Sequence, residues 1–141
     1  MPEERPPISE HEYEDQLEPT HLIRRSHVVL RAGTMMLGAG TSGLRVREVM
    51  AAVARSVGIQ QLDAQVTFTQ IVLTVGRRGL FRTHVGETRP GVNADRIARL
   101  HQLSHELPAH ASAEQIDQRL DRIEQHAFCY PSWLLVMLVA V

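Results

Sequence analysis

Residues 65–75 read Gln65-Val66-Thr67-Phe68-Thr69-Gln70-Ile71-Val72-Leu73-Thr74-Val75, and after Gly76-Arg77-Arg78-Gly79 the chain continues Leu80-Phe81-Arg82-Thr83-His84-Val85. Both flanks are rich in β-branched and aromatic side chains, which lose χ1 freedom in a helix and fit a pleated, half-buried surface better. The glycine-bounded tetrapeptide reads as a four-residue loop, so the stretch predicts an antiparallel hairpin or small sheet. Apolar parity changes across Gln70, from Val66 and Phe68 to Ile71, Leu73 and Val75. That change predicts a bulge at Gln70 or a strand buried on both faces. Phe68 and Phe81 are expected in the core.

Helical periodicity flanks this strand material on both sides. Leu22, Ile23, Val29, Leu30, Met36 and Leu37 form a helical stripe that starts from Thr20 as a candidate N-cap and runs to about residue 37. Gly38-Ala39-Gly40-Thr41-Ser42-Gly43 then breaks the chain. Val46, Val49, Met50, Val53 and Val57 follow at i, i+3, i+4, i+7 and i+11, with Ser42 as cap and Gly58 as stop. Downstream, Arg89-Pro90-Gly91 is a turn, and Asn93 can cap a helix carrying Ile97, Leu100, Leu103 and Leu107 before Pro108 ends it. Ser112 with Gln115 forms a capping box for a last helix whose apolar face, Ile116, Leu120 and Ile123, is narrow, so this helix is expected to lie on the surface of the domain. The expected class is α+β: a helical pair, a β-hairpin or small sheet, and two further helices. No internal repeat is present.

The 141 residues suffice for one domain with its own core, and 43% hydrophobic with 22% charged residues is ordinary globular composition. A net charge of −1 conceals an asymmetry. Residues 1–18 carry Glu3, Glu4, Glu10, Glu12, Glu14, Asp15 and Glu18 against Arg5, whereas residues 22–99 hold twelve Arg against Glu48, Asp63, Glu87 and Asp95. Residues 1–19, punctuated by Pro2, Pro6, Pro7 and Pro19, are expected to be a disordered acidic leader. A basic body points to nucleic acid or to an anionic membrane surface. The single cysteine, Cys129, excludes an intramolecular disulfide and fits a reducing compartment, and the acidic N-terminus is unlike a secretory signal.

Near the C-terminus Trp133-Leu134-Leu135-Val136-Met137-Leu138-Val139-Ala140-Val141 is uninterruptedly apolar. As a helix these residues would reach ~13 Å, less than half of a ~30 Å bilayer core. The run is either a short buried element or the start of a membrane helix. Tyr130 and Trp133 suit a membrane interface, and Arg119 and Arg122 nearby agree with a cytoplasmic side for the preceding residues. The expected organisation is a leader over 1–19, a cytosolic α+β domain over 20–130 and a transmembrane stub over 131–141.

Several constellations bear on chemistry. Gly38, Gly40 and Gly43 satisfy G-x-G-x-x-G, with Asp63 twenty residues on, as a dinucleotide site would require. Such a site needs a strand before Gly38, whereas the spacing from Leu22 to Leu37 is helical; a turn permitting close helix approach is the competing reading. His101 and His105 lie one helical turn apart, but neither Glu106 nor His110 completes a third-ligand pattern, which favours a solvated helix face over a metal site. His126 with Cys129 could form a base and thiol, against a small buried Cys at the apolar boundary. Ser104 beside His105 is no triad, because adjacent helix residues diverge. Arg77, Arg78, Arg82 and Arg89 with Thr67 and Thr69 could bind an anion, against a solvated strand face. Thr41, Thr67, Thr69, Arg82 and Arg89 remain as binding candidates; no catalytic residue, metal ligand or cofactor is expected.

The blocks Leu30 to Val46, Val66 to Val75 and Arg89 to Leu103 together resemble the threonine/serine exporter family, in the right order and over about residues 27–141. Gly38, Ala39, Thr41 and Val46, followed by the threonine-rich strand with Thr67 and Thr69, are the more specific parts. The resemblance implies a cytosolic N-terminal domain joined to a multi-span domain that exports threonine and serine with the proton gradient, at the inner (plasma) membrane. Its role would be regulation, gating or assembly rather than catalysis. Implied partners are the membrane, the chain's own membrane domain beyond Val141, and the small amino acids threonine and serine; nucleic acid is not among them, and a homo-oligomer is left open. Substrate-pathway residues would lie in the membrane domain, so none is carried over. The alternative is a soluble hydrolase-like or nucleotide-binding α/β domain using the Gly38 to Gly43 turn, which requires a strand before Gly38.

Overall fold

The structure, a computed structural model, describes residues 18–77 and 79–125. The leader up to residue 17, the His126 and Cys129 pair, and the expected membrane stub lie outside the described residues. The elements are α1 (Glu18–Gly38), α2 (Gly43–Ser56), β1 (Gln61–Val66), β2 (Gln70–Arg77), β3 (Leu80–Glu87), α3 (Ala94–Glu106) and α4 (Ala113–Gln125). The three strands form one antiparallel sheet in the order β1-β2-β3. The α+β class and the two helical pairs stand as expected. α1 begins two residues before Thr20, so Pro19 sits in its first turn, where a missing N–H costs nothing.

The parity change at Gln70 has a different cause from either one expected. There is neither a bulge nor a strand buried on both faces; residues 67–69 turn the chain between two strands. Thr67 N–H donates to the Gln70 carbonyl (2.9 Å), and Gln70 N–H donates to Thr67 Oγ1 (3.1 Å). Each arm of a hairpin sets its own inside face, so Val66 pairs with Ile71 across the turn and both point inward. Phe68, at the turn, is 89% exposed and not in the core. Phe81 is also exposed rather than core, because Leu73 pairs with His84 and Val75 with Arg82, turning Phe81 onto the outer face. The second connection is shorter than the expected four residues. Arg77 pairs with Leu80, leaving two residues in the loop, with Gly79 at φ +80°.

The four described helices pack over the sheet's inner face or on one another, around a core that includes Ile71, Leu73, Val75, Met36, Met50, Leu100, Ile116 and Leu120, each without measurable exposure. Gly33 lets α1 settle directly over this core: a Cβ there would lie 2.5 Å from Met50 Sδ and 3.0 Å from Ile71 Cδ1. The outer face stays solvated, with Asp63, Gln65, Thr83 and Val85 exposed and Thr74 hydrogen-bonded to Thr83 (3.0 Å). The caps form as read. Ser42 accepts from Arg45 N–H and Asn93 from Arg96 N–H (3.0 Å), while Ser112 and Gln115 bond reciprocally. α4 presents a polar face to solvent, but its narrow apolar face is wholly covered at Ile116 and Leu120. No described helix is long and apolar enough to cross a membrane.

Candidate functional site

Three connections meet at one pole of the domain: the α1–α2 turn, the β1–β2 turn and the β3–α3 loop. Thr88 N–H donates to the Thr69 carbonyl (2.8 Å), and Asn93 N–H donates to the Ala39 carbonyl (2.9 Å). Gly43 lies against Val66, its would-be Cβ 3.5 Å from Cγ1, and Gly38 lies against Thr88 and the Arg89 carbonyl. Gly40 adopts φ +93°, with the Gly91 carbonyl where a Cβ would stand, so only glycine fits. The pole therefore brings together Thr41, Thr67, Thr69 and Arg89, four of the five residues read as binding candidates. Arg82 is apart from them, opposite Val75 toward the other end of the hairpin. Phe68 and Val92, on these same connections, and Leu44, in the first turn of α2 beside them, are 89%, 97% and 63% exposed.

A second feature is a cleft of about 760 Å³ between α1, the β3 edge and the start of α4. Arg24, His27, Arg31, Glu87, Glu114 and Asp117 line it, so both signs of charge face the same space. Its far wall is fixed by Arg31, whose guanidinium bonds Asp117 Oδ1 (2.5 Å), Asp121 Oδ1 (2.6 Å) and Glu124 Oε2 (2.7 Å), with the Asp117 carbonyl at 3.2 Å. Burial alone would lower the Arg31 pKa, but the hydrogen bonds from Asp121, Asp117 and Glu124 outweigh it and raise the pKa above its ordinary value. Arg24 pairs with Glu114 at 3.3 Å across the cleft mouth. Sequence spacing alone does not bring Arg31 to these three acids. The signal in the sequence is Asp117, Asp121 and Glu124 on one face of α4, an acidic stripe that needs a cation opposite.

Beside the cleft, Ser26 and His84 form a further contact that sequence spacing did not reveal. The Ser26 hydroxyl is buried, donates to the Leu22 carbonyl within α1 and lies 3.1 Å from His84 Nε2. The His84 ring stands edge-on to His27, with centroids 5.3 Å apart. Burial, then His27 and Arg82, push the His84 pKa below its ordinary value. A carboxylate orienting this imidazole is not found among the described contacts, and the hydroxyl is committed to its own helix. This is a packing contact, not a nucleophile and base.

The nucleotide-binding alternative fails on its own criterion. α1 is helical through Gly38, so no strand delivers the chain into the glycine turn. Asp63 lies in the exposed side of β1, paired with Thr74, rather than at a strand end facing the glycines. His101 and His105 approach at 3.2 Å between Nε2 atoms on an exposed helix face. No group of three or more metal-binding side chains occurs among the described residues. Ser104 donates to the His101 carbonyl (2.6 Å) and is not aligned with His105.

No curated protein and no solved structure matches this chain. A family profile does: ThrE, described as "Putative threonine/serine exporter", matches residues 27–141. The match begins one turn past Arg24 on α1, takes in the glycine turn, the whole sheet, α3 and α4, and continues through the apolar run from Trp133. With that much of its length accounted for, the chain belongs to the threonine/serine exporter family.

Proposed function

We propose that residues 20–130 are the cytosolic N-terminal domain of a proton-driven threonine/serine exporter and act on transport through regulation or assembly. The observation that carries this reading is the family match over residues 27–141. Membership implies a membrane location and small amino-acid substrates. One feature supports a regulatory part for the described residues: the cleft between α1, the β3 edge and α4 is lined by both cationic and anionic groups. In this reading the cleft is the sensing site. Threonine and serine each carry an ammonium and a carboxylate, and the cleft sets Arg24 and His27 opposite Glu87 and Glu114. The domain would then report cytosolic amino acid to the transport pathway without performing chemistry on it.

The test is threonine efflux from cells expressing the full protein with and without residues 20–130. Deletion is expected to abolish export or to remove its dependence on internal threonine. Efflux of unchanged rate and concentration dependence would overturn the proposal.

A further inference from the structure

We infer that the pole formed by the α1–α2, β1–β2 and β3–α3 connections rests against the membrane surface, with Leu44, Phe68 and Val92 in the interfacial layer and Arg45 and Arg89 toward anionic lipid headgroups. The inference rests on the exporter reading and adds to it a defined orientation and a lipid contact.

The first observation is the chemistry of the turn tips. Solvent-facing turns ordinarily carry Gly, Asn, Asp, Ser or Pro, whose side chains lose nothing in water. Here two of the adjoining connections present Phe68 and Val92 at 89% and 97% exposure, and Leu44, in the first turn of α2 that leaves the third, is 63% exposed. Their neighbours Arg45 and Arg89 are exposed as well. The acids in the vicinity include Glu48, Glu87, Asp95 and Glu124, of which Asp95 is already paired with Arg99 at 2.9 Å and Glu124 with Arg31 at 2.7 Å. Apolar tips flanked by arginine match an interface where hydrocarbon and phosphate lie a few ångströms apart.

The second observation is independent and concerns the path of the chain. Glu114 meets Arg24 while Asp117, Asp121 and Glu124 meet Arg31, so α4 runs parallel to α1. α1 ends at this pole, and so does α4. Arg96, one turn into α3 from Asn93, places its Nη2 3.4 Å from the Glu124 carbonyl. The chain thus leaves α4 on the same side as the exposed tips, eight residues before Trp133 opens the apolar run. The seven residues between Gln125 and Trp133, eight Cα–Cα steps, span at most about 28 Å, which keeps this pole near any membrane that receives the run. The opposite end, where Ser56 Oγ donates to the Pro108 carbonyl (2.7 Å) and the β2–β3 loop lies, faces away.

The experiment uses the full chain in a Cys129→Ser background with a bimane label at Phe68→Cys, Val92→Cys or, as the distal control, Ala109→Cys. Each is mixed with vesicles of phosphatidylcholine containing about 30% phosphatidylglycerol and headgroup-labelled quencher lipid. Flotation is expected for all three, with quenching at positions 68 and 92 at least about twofold that at 109. A second arm replaces Arg89 with Gln, which is expected to reduce quenching at position 92 in anionic but not in neutral vesicles. Flotation with equal quenching at all sites, or strongest quenching at 109, overturns the orientation while leaving the exporter reading intact. Failure to float overturns it as well. The efflux test above fails or succeeds separately, because it reads transport and not orientation.

Discussion

Replacing Arg31 with Gln removes the cation that fastens α4 to α1. The side chain is 27% exposed, while those of Asp117, Asp121 and Glu124 are 51%, 53% and 58% exposed. Because the carboxylates are half in water, each pair contributes about 0.5–1 kcal/mol and not the several expected of a buried one. Losing the guanidinium also leaves Asp117 facing Asp121 at i,i+4 and Asp121 facing Glu124 at i,i+3, a repulsion of about 0.2–0.5 kcal/mol for each pair. The expected total is about 2–4 kcal/mol, a large share of the roughly 5–15 kcal/mol that holds an ordinary domain together. Urea unfolding followed by far-UV circular dichroism should show a lower midpoint with an unchanged slope. Arg31→Lys should recover only part of the loss, since one ammonium cannot match the planar fork that reaches three acids. At about 1 M salt, where the screening length falls to ~3 Å, the difference between wild type and Arg31→Gln should shrink. A loss below about 0.5 kcal/mol, or full recovery with lysine, would refute the claim that this network docks α4.

The remaining expectations probe other parts of the molecule. Leu73, fully buried on β2, should cost about 2–5 kcal/mol as Leu73→Ala, whereas Phe68→Ser should stay within about 0.5 kcal/mol; urea midpoints that rank them otherwise would contradict the assigned faces. Gly40→Ala should destabilise by about 1–3 kcal/mol, because φ +93° and the Gly91 carbonyl both exclude a Cβ, and a melting temperature equal to wild type would refute this. His84 has its pKa lowered by burial, then by His27 and Arg82, so the folded state binds fewer protons than the unfolded chain. Its contribution is present above the ordinary histidine value of 6.5 and is lost as pH falls from there through the lowered pKa. Thermal stability should therefore drop between pH 7.5 and 5.5, and His84→Asn should flatten that slope.

Much of the architecture was legible because it rests on short-range signals. The stripe Val46, Val49, Met50 and Val53 marks α2, and all four residues are buried. Asn93 and the Ser112–Gln115 box name helix starts that the hydrogen bonds reproduce. β1 was hidden for the opposite reason. Gln61-Leu62-Asp63-Ala64-Gln65 has little strand propensity, and it is extended because pairing with β2 satisfies its backbone and seats Ala64 on the core face. Without β1 the parity change at Gln70 resembles an irregularity within one strand, which places Phe68 inward; the outward face of Phe81 depends on the β2–β3 register. The binding candidates show the same division. Their side-chain types were visible, but that Thr41, Thr67, Thr69 and Arg89 share a pole while Arg82 does not depends on how the turns dock.

The sequence by itself determined the α+β class, the positions of the helices, the caps at Ser42, Asn93 and Ser112, the hairpin and the family, because periodicity, capping chemistry and a long collinear pattern are written in neighbouring residues. Only the tertiary structure decided that the sheet has a third strand, that Arg31 gathers three acids from a helix some ninety residues away, and that α1 and α4 end at one pole beside Leu44, Phe68 and Val92. Those facts depend on contacts between residues far apart in the chain, where side-chain volume and charge select a single packing and local pattern carries no record of the outcome.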